Sequence, residues 1–482
     1  MSPLSPNPGN YLSEDTIAAL ASAPGGAITI LRISGPQAFS ALRALVKNKP
    51  SRDAVEANDR VLFRAHLRDS ADLPLDEALA ARFQAPRSFT GEDVVELYLH
   101  GGAFIAFRVM EVLSEFGIRQ ALPGEFSFRA VRNGKLTLAQ AQSVADLIAA
   151  TNDSAVRLAL EKLSGSQNRL LEKIADDLRN VAVLAEAAID FSDQEDVSSS
   201  SPSLSLESLK KKLLPVLETL KKLQSTYARG LRIQGGVRAA FIGLPNAGKS
   251  SFFNALLGED RSIVSELAGT TRDVVHEQMS LRGQRGTVTL RLEDTAGLRS
   301  PEHPVEKMGI ERTLRSARDA DLILLIVDGR SCLTHGIDSV QSQWRAIGSP
   351  KEKTVGILSK IDRLSSTERD LARETCSSLE IPTWIPVSST TGEGVSTAVE
   401  KITAFCDRWF NRDTEEVVLT RLDQERAVAL AIDHLNQSKT ADYADLFAAD
   451  IRHALHALAP MIGDTLPDDI LNEIFSTFCI GK

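Results

Sequence analysis

The apolar positions along the chain change period several times, and each change predicts a different kind of element. Ala27-Ile-Thr-Ile-Leu-Arg-Ile33 alternates with period two and is closed by Ser34-Gly-Pro36; Val94-Val-Glu-Leu-Tyr-Leu99 is closed by Gly101-Gly102. Both predict strands, and the mixed pattern over residues 16–128 predicts a compact α+β domain. From Thr137 the period becomes helical, with Leu138, Ala141, Val144, Ala145 and Ile148 on one face, and helix is predicted on to about residue 190. Residues 198–203, Ser-Ser-Ser-Ser-Pro-Ser, read as a solvated linker, and helix is predicted again over 206–228.

Between residues 229 and 409 the rhythm is strand, loop, helix, repeated. Strands are predicted at 237–242, 287–292, 322–327, 355–358 and 384–387. Such alternation implies a doubly wound, largely parallel sheet with helices on both faces. After Asp413 the pattern is helical to Lys482. The two helical stretches are read as halves of one all-α domain into which a Ras-like P-loop domain is inserted, with separate helical segments as the alternative. The expected partition is a multidomain α/β chain: 1–130 α+β, 131–230 first helical half, 231–411 inserted domain, 412–482 second helical half.

Length and composition fit this picture without adding chemistry. A chain of 482 residues predicts two or three domains, and 43% hydrophobic with 25% charged residues is the balance of a soluble globular protein. The net charge of −9 argues against a chain that coats itself in polyanion, because nucleic-acid affinity comes from Lys and Arg neutralising phosphates. Cys332, Cys376, Cys406 and Cys479 are scattered with no Cys-x-x-Cys pair, which argues against a thiolate zinc site or a disulfide framework and fits a reducing cytosol. The longest apolar run, 322–327, is far short of a membrane span, and the polar start MSPLSPNPGNYLSEDT has no signal-peptide pattern. The expectation is a cytoplasmic protein with no membrane association.

Candidate chemistry begins at Gly243-Leu-Pro-Asn-Ala-Gly-Lys-Ser250, which matches GxxxxGKS between a predicted strand and a helix over 251–257 that Gly258 stops. In that context the glycines let backbone amides face phosphate oxygens, Lys249 neutralises the β/γ-phosphates and Ser250 ligates Mg²⁺. Asp294-Thr-Ala-Gly297 ends a strand, where Asp294 would hold Mg²⁺ through water and the Gly297 amide would sense a γ-phosphate. Ser359-Lys-Ile-Asp362 ends another, and a carboxylate there accepts the N1–H and N2–H of guanine, a pair adenine lacks. Pro386-Val-Ser-Ser-Thr390 resembles the loop that closes over the base, through Ser388, Ser389 and Thr390. This order predicts a GTP site. Two departures stand out: Ser359 occupies the usual Asn position, which predicts retained guanine specificity with weaker affinity, and Leu298 follows Asp-x-x-Gly where many GTPases carry a water-orienting Gln.

Ala268-Gly-Thr-Thr-Arg-Asp273, Asn246 within the phosphate loop, Val305-Glu-Lys-Met-Gly-Ile-Glu311 and the terminal Cys479-Ile-Gly-Lys482 together resemble the MnmE (TrmE) family of tRNA-modification GTPases. The resemblance implies a potassium-activated enzyme that hydrolyses GTP when two G domains of a homodimer meet. Nucleotide contacts would then come from Asn246, Ala247, Gly248, Lys249, Ser250 and Ser251; from Ser265, Glu266, Leu267, Ala268, Gly269, Thr270 and Thr271; from Asp294, Thr295, Ala296 and Gly297; and from Ser359, Lys360, Ile361, Asp362, Ser388, Ser389 and Thr390. It further implies Mg²⁺ on Ser250 and Thr271, K⁺ on Asn246, Ser265, Leu267 and Thr270, and Glu306 as the residue that positions the attacking water. Glu306 by its own sequence context is one of many helix carboxylates.

Leu31-Arg-Ile-Ser-Gly35, Phe89-Thr-Gly-Glu-Asp-Val-Val-Glu96 and Pro123-Gly-Glu-Phe-Ser-Phe128 are similar to that family's tetrahydrofolate-binding, dimer-forming N-terminal domain. The match implies folate contacts from Arg32, Glu96, Lys135 and Lys482, with 5,10-methylene- or 5-formyl-tetrahydrofolate as the carbon donor. It implies a catalytic Cys479 whose chemical role stays open. It also implies an MnmG-type flavoprotein partner carrying FAD and NADH, in a heterotetramer or larger, acting on the wobble uridine of tRNA. Rival readings are a free-standing GTP switch of the Era or Der type, for which no basic RNA-binding appendage is visible, and a folate-binding protein with a vestigial G domain, which the intact Lys249, Ser250 and Thr271 oppose.

Overall fold

The computed structural model describes residues 11–23, 25–46, 59–190, 205–258, 278–283, 286–292, 316–410, 417–462, 474–476, 478 and 481. They group into two compact units: Met1–Ala145 with Lys162–Leu213 and Asp433–Lys482, and Asp146–Glu161 with Leu214–Ile432.

The first unit is built on a six-stranded sheet: β1 Ile17–Leu20, β2 Ile28–Ser34, β3 Phe63–Arg68, β4 Pro74–Phe83, β5 Val94–His100 and β6 Arg119–Gln120, in spatial order β3-β4-β5-β2-β1-β6. Pairing is antiparallel except β1 with β6. Period-two patterning sorts the faces. Leu31 and Ile33 of β2 and Val95, Leu97 and Leu99 of β5 enter a core with the helices Ala38–Leu45 and Ala103–Glu115. That leaves Arg32, Glu96 and Tyr98 on the opposite face. β4 was not foreseen. Its Glu-Ala-Leu-Ala-Ala-Arg favours helix by composition, yet it lies paired on both sides by β3 and β5, whose ladders override the local preference.

The helix Glu125–Arg132 lies against the β1 side of this sheet, where Phe126 joins Ile17, Ala19 and Ala121. It carries a buried ion cluster. Glu125 is fully buried and accepts from Arg119 at 2.6 Å and Arg129 at 3.0 Å, while Asp15 accepts from the same two arginines at 2.7 Å and 3.1 Å. Each buried charge is thus paired and hydrogen-bonded, the condition under which burial is tolerated. Beyond it, Phe128 packs with Tyr11, Leu138, Ala141, Phe475 and Phe478. The Phe128 and Phe475 rings meet edge to face with centroids 5.7 Å apart, a favoured aromatic geometry. A Cβ on Gly124 (φ 66°) would stand 2.7 Å from the Phe475 carbonyl oxygen, and one on Gly481 would stand 1.9 Å from the Leu20 carbonyl oxygen. Gly124 thus meets Phe475, and Gly481 meets Leu20, at a backbone distance that only glycine permits.

The long helices Ser166–Asp190 and Ala444–Ile462 pack on each other in this unit, with Arg452 donating to Glu186 at 2.8 Å. The helix expected over 206–228 is two: Leu206–Ser225 and Tyr227–Gly235. Thr226 separates them, its hydroxyl donating to the Leu223 carbonyl and accepting from the Leu419 amide.

The second unit holds the doubly wound sheet expected from the alternation: β7 Val237–Ile242, β8 Gln278–Gly283, β9 Gly286–Leu292, β10 Leu322–Asp328, β11 Thr354–Ser359 and β12 Trp384–Val387, ordered β12-β11-β10-β7-β9-β8. All neighbours are parallel except β8 with β9. One apolar cluster covers each face, which is why β10 is a continuous buried run rather than an alternating one. No helix among the described residues is long and apolar enough to cross a membrane.

Phe475→Ala removes a fully buried ring and should destabilise the first unit by about 3–5 kcal/mol. By hydrogen exchange, the amides of Glu125–Arg132 are expected to lose protection while those of β10 keep theirs; equal protection in both would contradict the packing described.

Candidate nucleotide and folate sites

Parallel register brings the ends of four strands to one edge of the second sheet. Ile242 pairs with Leu325, Asp328 with Ser359, and Ser359 with Val387, so the segments after β7, β10, β11 and β12 leave side by side. Ligands of doubly wound sheets lie at this carboxyl edge. The loop after β7 turns back through Gly243, whose Cβ would clash at 2.3 Å with the Ile326 carbonyl oxygen, and through Asn246 (φ 63°) and Gly248 (φ 97°). The helix Lys249–Leu257 then starts with no side-chain cap, leaving its first amides available to an anion.

Lys249 lies back along this loop, its Nζ donating to the carbonyl oxygens of Gly243 at 2.9 Å and Leu244 at 3.0 Å. Burial lowers its pKa, and both partners are neutral, so a phosphate oxygen would supply the charge the ammonium lacks. Ser250 and Ser251 follow in the first turn. The Asn246 side chain is exposed and makes no hydrogen bond among the described residues.

The segment after β11 crosses the loop. Ser359, where Asn is usual, places its Oγ 2.5 Å from the Ala247 carbonyl oxygen and 3.2 Å from that of Val327. The shorter side chain therefore keeps the tie to the phosphate loop. Lys360 (φ 59°) bonds the Asn246 carbonyl at 2.6 Å and Asp328 at 2.7 Å. Ile361 is buried, and the Asp362 carboxylate accepts from Ser388 Oγ at 2.7 Å, so the two loops expected to read and cover a base are joined directly. Ser388 is buried; Ser389 and Thr390 form the turn beyond it, with Thr390 exposed.

Asp328 was missed in the sequence, although its place at the end of an apolar strand before Gly329-Arg-Ser is a helix-cap signal. It accepts from the amides of Arg330 at 3.0 Å and Ser331 at 3.2 Å as well as from Lys360. Burial raises its pKa, but the Lys360 ammonium and these amides outweigh that and hold the carboxyl below its ordinary range. Ser265, Glu266, Leu267, Ala268, Gly269, Thr270, Thr271, Asp294, Thr295, Ala296, Gly297 and Glu306 lie outside the described residues.

On the first sheet, Arg32 and Glu96 are register partners on β2 and β5, and Arg32 donates to Glu96 through two nitrogens at 2.8 and 2.9 Å. Tyr98, two residues on and so on the same face, donates to the other Glu96 oxygen at 2.9 Å. Arg32 lies over the rings of Phe89 and Phe126, 5.3 and 5.7 Å from their centroids. Tyr98, Phe89 and Phe126 were not selected from sequence; the period-two spacing of Tyr98 from Glu96 carried the signal for the first. Ala19, the other neighbour of Arg32, precedes Leu20, whose carbonyl meets Gly481. Lys135 is exposed beside Gly91. Cys479 and Lys482 lie outside the described residues, flanking positions that are anchored: Phe478 against Gly124, and Gly481 against Leu20.

A glycine-shaped loop opening a helix, set beside the segment expected to read a base at the carboxyl edge of a parallel sheet, defines a P-loop nucleotide-binding protein of the GTPase class. Residues 16–135 match the family model described as the GTP-binding protein TrmE N-terminus, and residues 138–479 match that of the MnmE helical domain. The chain is 34% identical over 481 residues to the tRNA modification GTPase MnmE of Christiangramia forsetii, covering 97% of this chain and 99% of the relative. It is 37% identical over 472 residues to that of Chromobacterium violaceum, covering 97% and 98%. The G domain of the T. maritima FeoB iron transporter aligns with 35% of this chain and 98% of its own length, at 21% identity and a TM-score of 0.24. The chain belongs to the MnmE family of tRNA modification GTPases.

Asp328→Ala should destabilise the second unit by about 1–3 kcal/mol at neutral pH through loss of the cap and the Lys360 ion pair. The folded carboxyl titrates below its unfolded value, so its contribution is complete above the unfolded pKa and vanishes as pH falls through the folded one. Urea denaturation of both proteins across that acid range should show the difference closing; a pH-independent gap would contradict the ion pair.

Proposed function

We propose that this chain is a GTP hydrolase that acts in tRNA modification, with the nucleotide bound at the carboxyl edge of the second sheet. The observation that carries the reading is the convergence of Lys249, the Ser359–Asp362 segment and Ser388 on one glycine-shaped loop. Lys249 binds the phosphates, Ser250 with Thr271 holds Mg²⁺, and Asp362, oriented by Ser388, selects guanine. Ser359 retains the loop contact of the usual Asn but is too short to reach the base as well, so affinity falls while specificity stays. Residues 1–130 are assigned to the folate-binding, dimer-forming domain, 131–230 and 412–482 to the two halves of the helical domain, and 231–411 to the inserted G domain.

Leu298 supplies no polar group to the attacking water, so the charge and positioning come from elsewhere. We assign the positioning to Glu306 and a K⁺ site to Asn246 with Ser265, Leu267 and Thr270, completed when two G domains of a homodimer meet. The uncommitted amide of Asn246 is a donor suited to such an ion, which when bound supplies positive charge beside the phosphates. On the first sheet, the paired Arg32 and Glu96 with the Phe89 and Phe126 rings suit a flat heterocycle with an N–H edge, here a tetrahydrofolate one-carbon donor, with Lys135 and Lys482 facing its carboxylates. Cys479 and an MnmG-type partner with FAD and NADH complete the addition of an aminomethyl or carboxymethylaminomethyl group to C5 of the wobble uridine. The partner supplies the basic tRNA surface that an acidic chain lacks.

Two measurements test the nucleotide half. GTP is expected to outcompete ATP by more than about tenfold despite Ser359, with the preference lost in Asp362→Ala; equal binding of both nucleotides would sink the assignment. Glu306→Ala should bind GTP normally and lose about two or more orders of magnitude in turnover, and exchange of K⁺ for Na⁺ should slow the wild type. Unchanged turnover in either case removes that part of the mechanism.

A further inference from the structure

The helices Leu422–Thr440 and Ala444–Ile462 follow one another with three residues between them. They bring together His434 from the first helix with Asp450 and His453 from the second, one ligand atom of each lying within 4.8 Å of the other two. Asp450 and His453 are three apart in a helix and so share a face. The His434 and His453 rings face each other with centroids 5.1 Å apart and planes tilted by 46°.

Among the described residues, these groups have few other partners. The Nδ1 of His434 is buried with no hydrogen-bond partner, where a buried imidazole nitrogen ordinarily has one. Asp450 makes no hydrogen bond or ion pair among the described residues. The nearest cation in sequence, Arg452, is engaged by Glu186 at 2.8 Å. On its own helix, none of the three residues has a Lys or Arg one turn away.

We propose that His434, Asp450 and His453 form a three-ligand site for a divalent cation of the zinc class. Two imidazoles and one carboxylate select Zn²⁺ and its borderline neighbours over Mg²⁺ and Ca²⁺, which prefer all-oxygen shells. Metal–ligand bonds of about 2.0–2.2 Å put ligand atoms about 3.4 Å apart, and here all three already lie within 4.8 Å of one another. His453 is exposed and free to turn, and it leaves the fourth position open to water. The absence of paired cysteines does not bear on such a site, since no thiolate takes part. A bound ion cross-links two consecutive helices and stabilises them by mass action. The inference is independent of the GTPase assignment.

The test uses the full chain, stripped with a chelator, held in excess Mg²⁺, and titrated with Zn²⁺ against a chromogenic competitor. The wild type is expected to bind one Zn²⁺ more than His453→Ala. Asp450→Asn should hold that ion about tenfold or more weakly. Because His453 is exposed, H453A leaves packing intact, which equal thermal midpoints without metal will verify; added Zn²⁺ should then raise the midpoint of the wild type alone. Equal zinc stoichiometry and equal midpoint shifts in wild type and H453A overturn the site and leave a stacked pair of neutral imidazoles.

Discussion

The return of the chain's end to its beginning is the contact on which the first unit depends. Phe475 and Phe478 pack with Phe128 and Tyr11, and Gly124 and Gly481 bring backbone to within a missing Cβ of its neighbours. Phe128 and Phe475, far apart in sequence, thus share one small core with Leu138 and Ala141. The ion cluster of Glu125, Arg119, Arg129 and Asp15 sits beneath the same helix. Its central pair is costly to disrupt, because removing Arg129 or Glu125 takes a partner from a fully buried charge. Phe126 of that helix also lies under the Arg32 guanidinium, which joins this region to the Arg32–Glu96 pair.

The second unit solves a different problem with a simpler rule. In a parallel sheet, loops that follow strands emerge at one edge, so segments 112 and 114 residues apart in sequence meet there. The side chains then fix the loops to each other: Ser359 to Ala247, Lys360 to Asn246 and Asp328, and Ser388 to Asp362. The Ser359–Asp362 segment and the glycine-shaped loop after β7 are in this way held together in advance, which lowers the ordering cost of binding a nucleotide. Ser359 illustrates how a departure from the common residue can preserve one of two roles, the one within its reach.

Much of this was legible in the sequence, for identifiable reasons. β7, β10 and β12 read correctly because apolar runs bounded by turn residues are strong strand signals; the loop after β7 was marked by glycines at positions where a Cβ would clash or φ is positive. β4 was hidden because Ala-rich sequence favours helix until neighbouring strands pair with it. Thr226 was hidden because a hydroxyl that ends a helix depends on Leu419, nearly 200 residues away. Arg32 and Glu96 carried no local mark; only their register across two strands makes them a pair. Asp328 had a local signal, a carboxylate capping the helix that follows its strand, and its second role with Lys360 exists only in three dimensions.

Cys479 is the residue to which the proposed tRNA chemistry is assigned. Nucleoside analysis of wobble uridines in tRNA from cells whose only copy carries Cys479→Ser tests that link most directly. The account predicts loss of the C5 substituent with GTP turnover by the purified variant unchanged. Normal modification in those cells would contradict it.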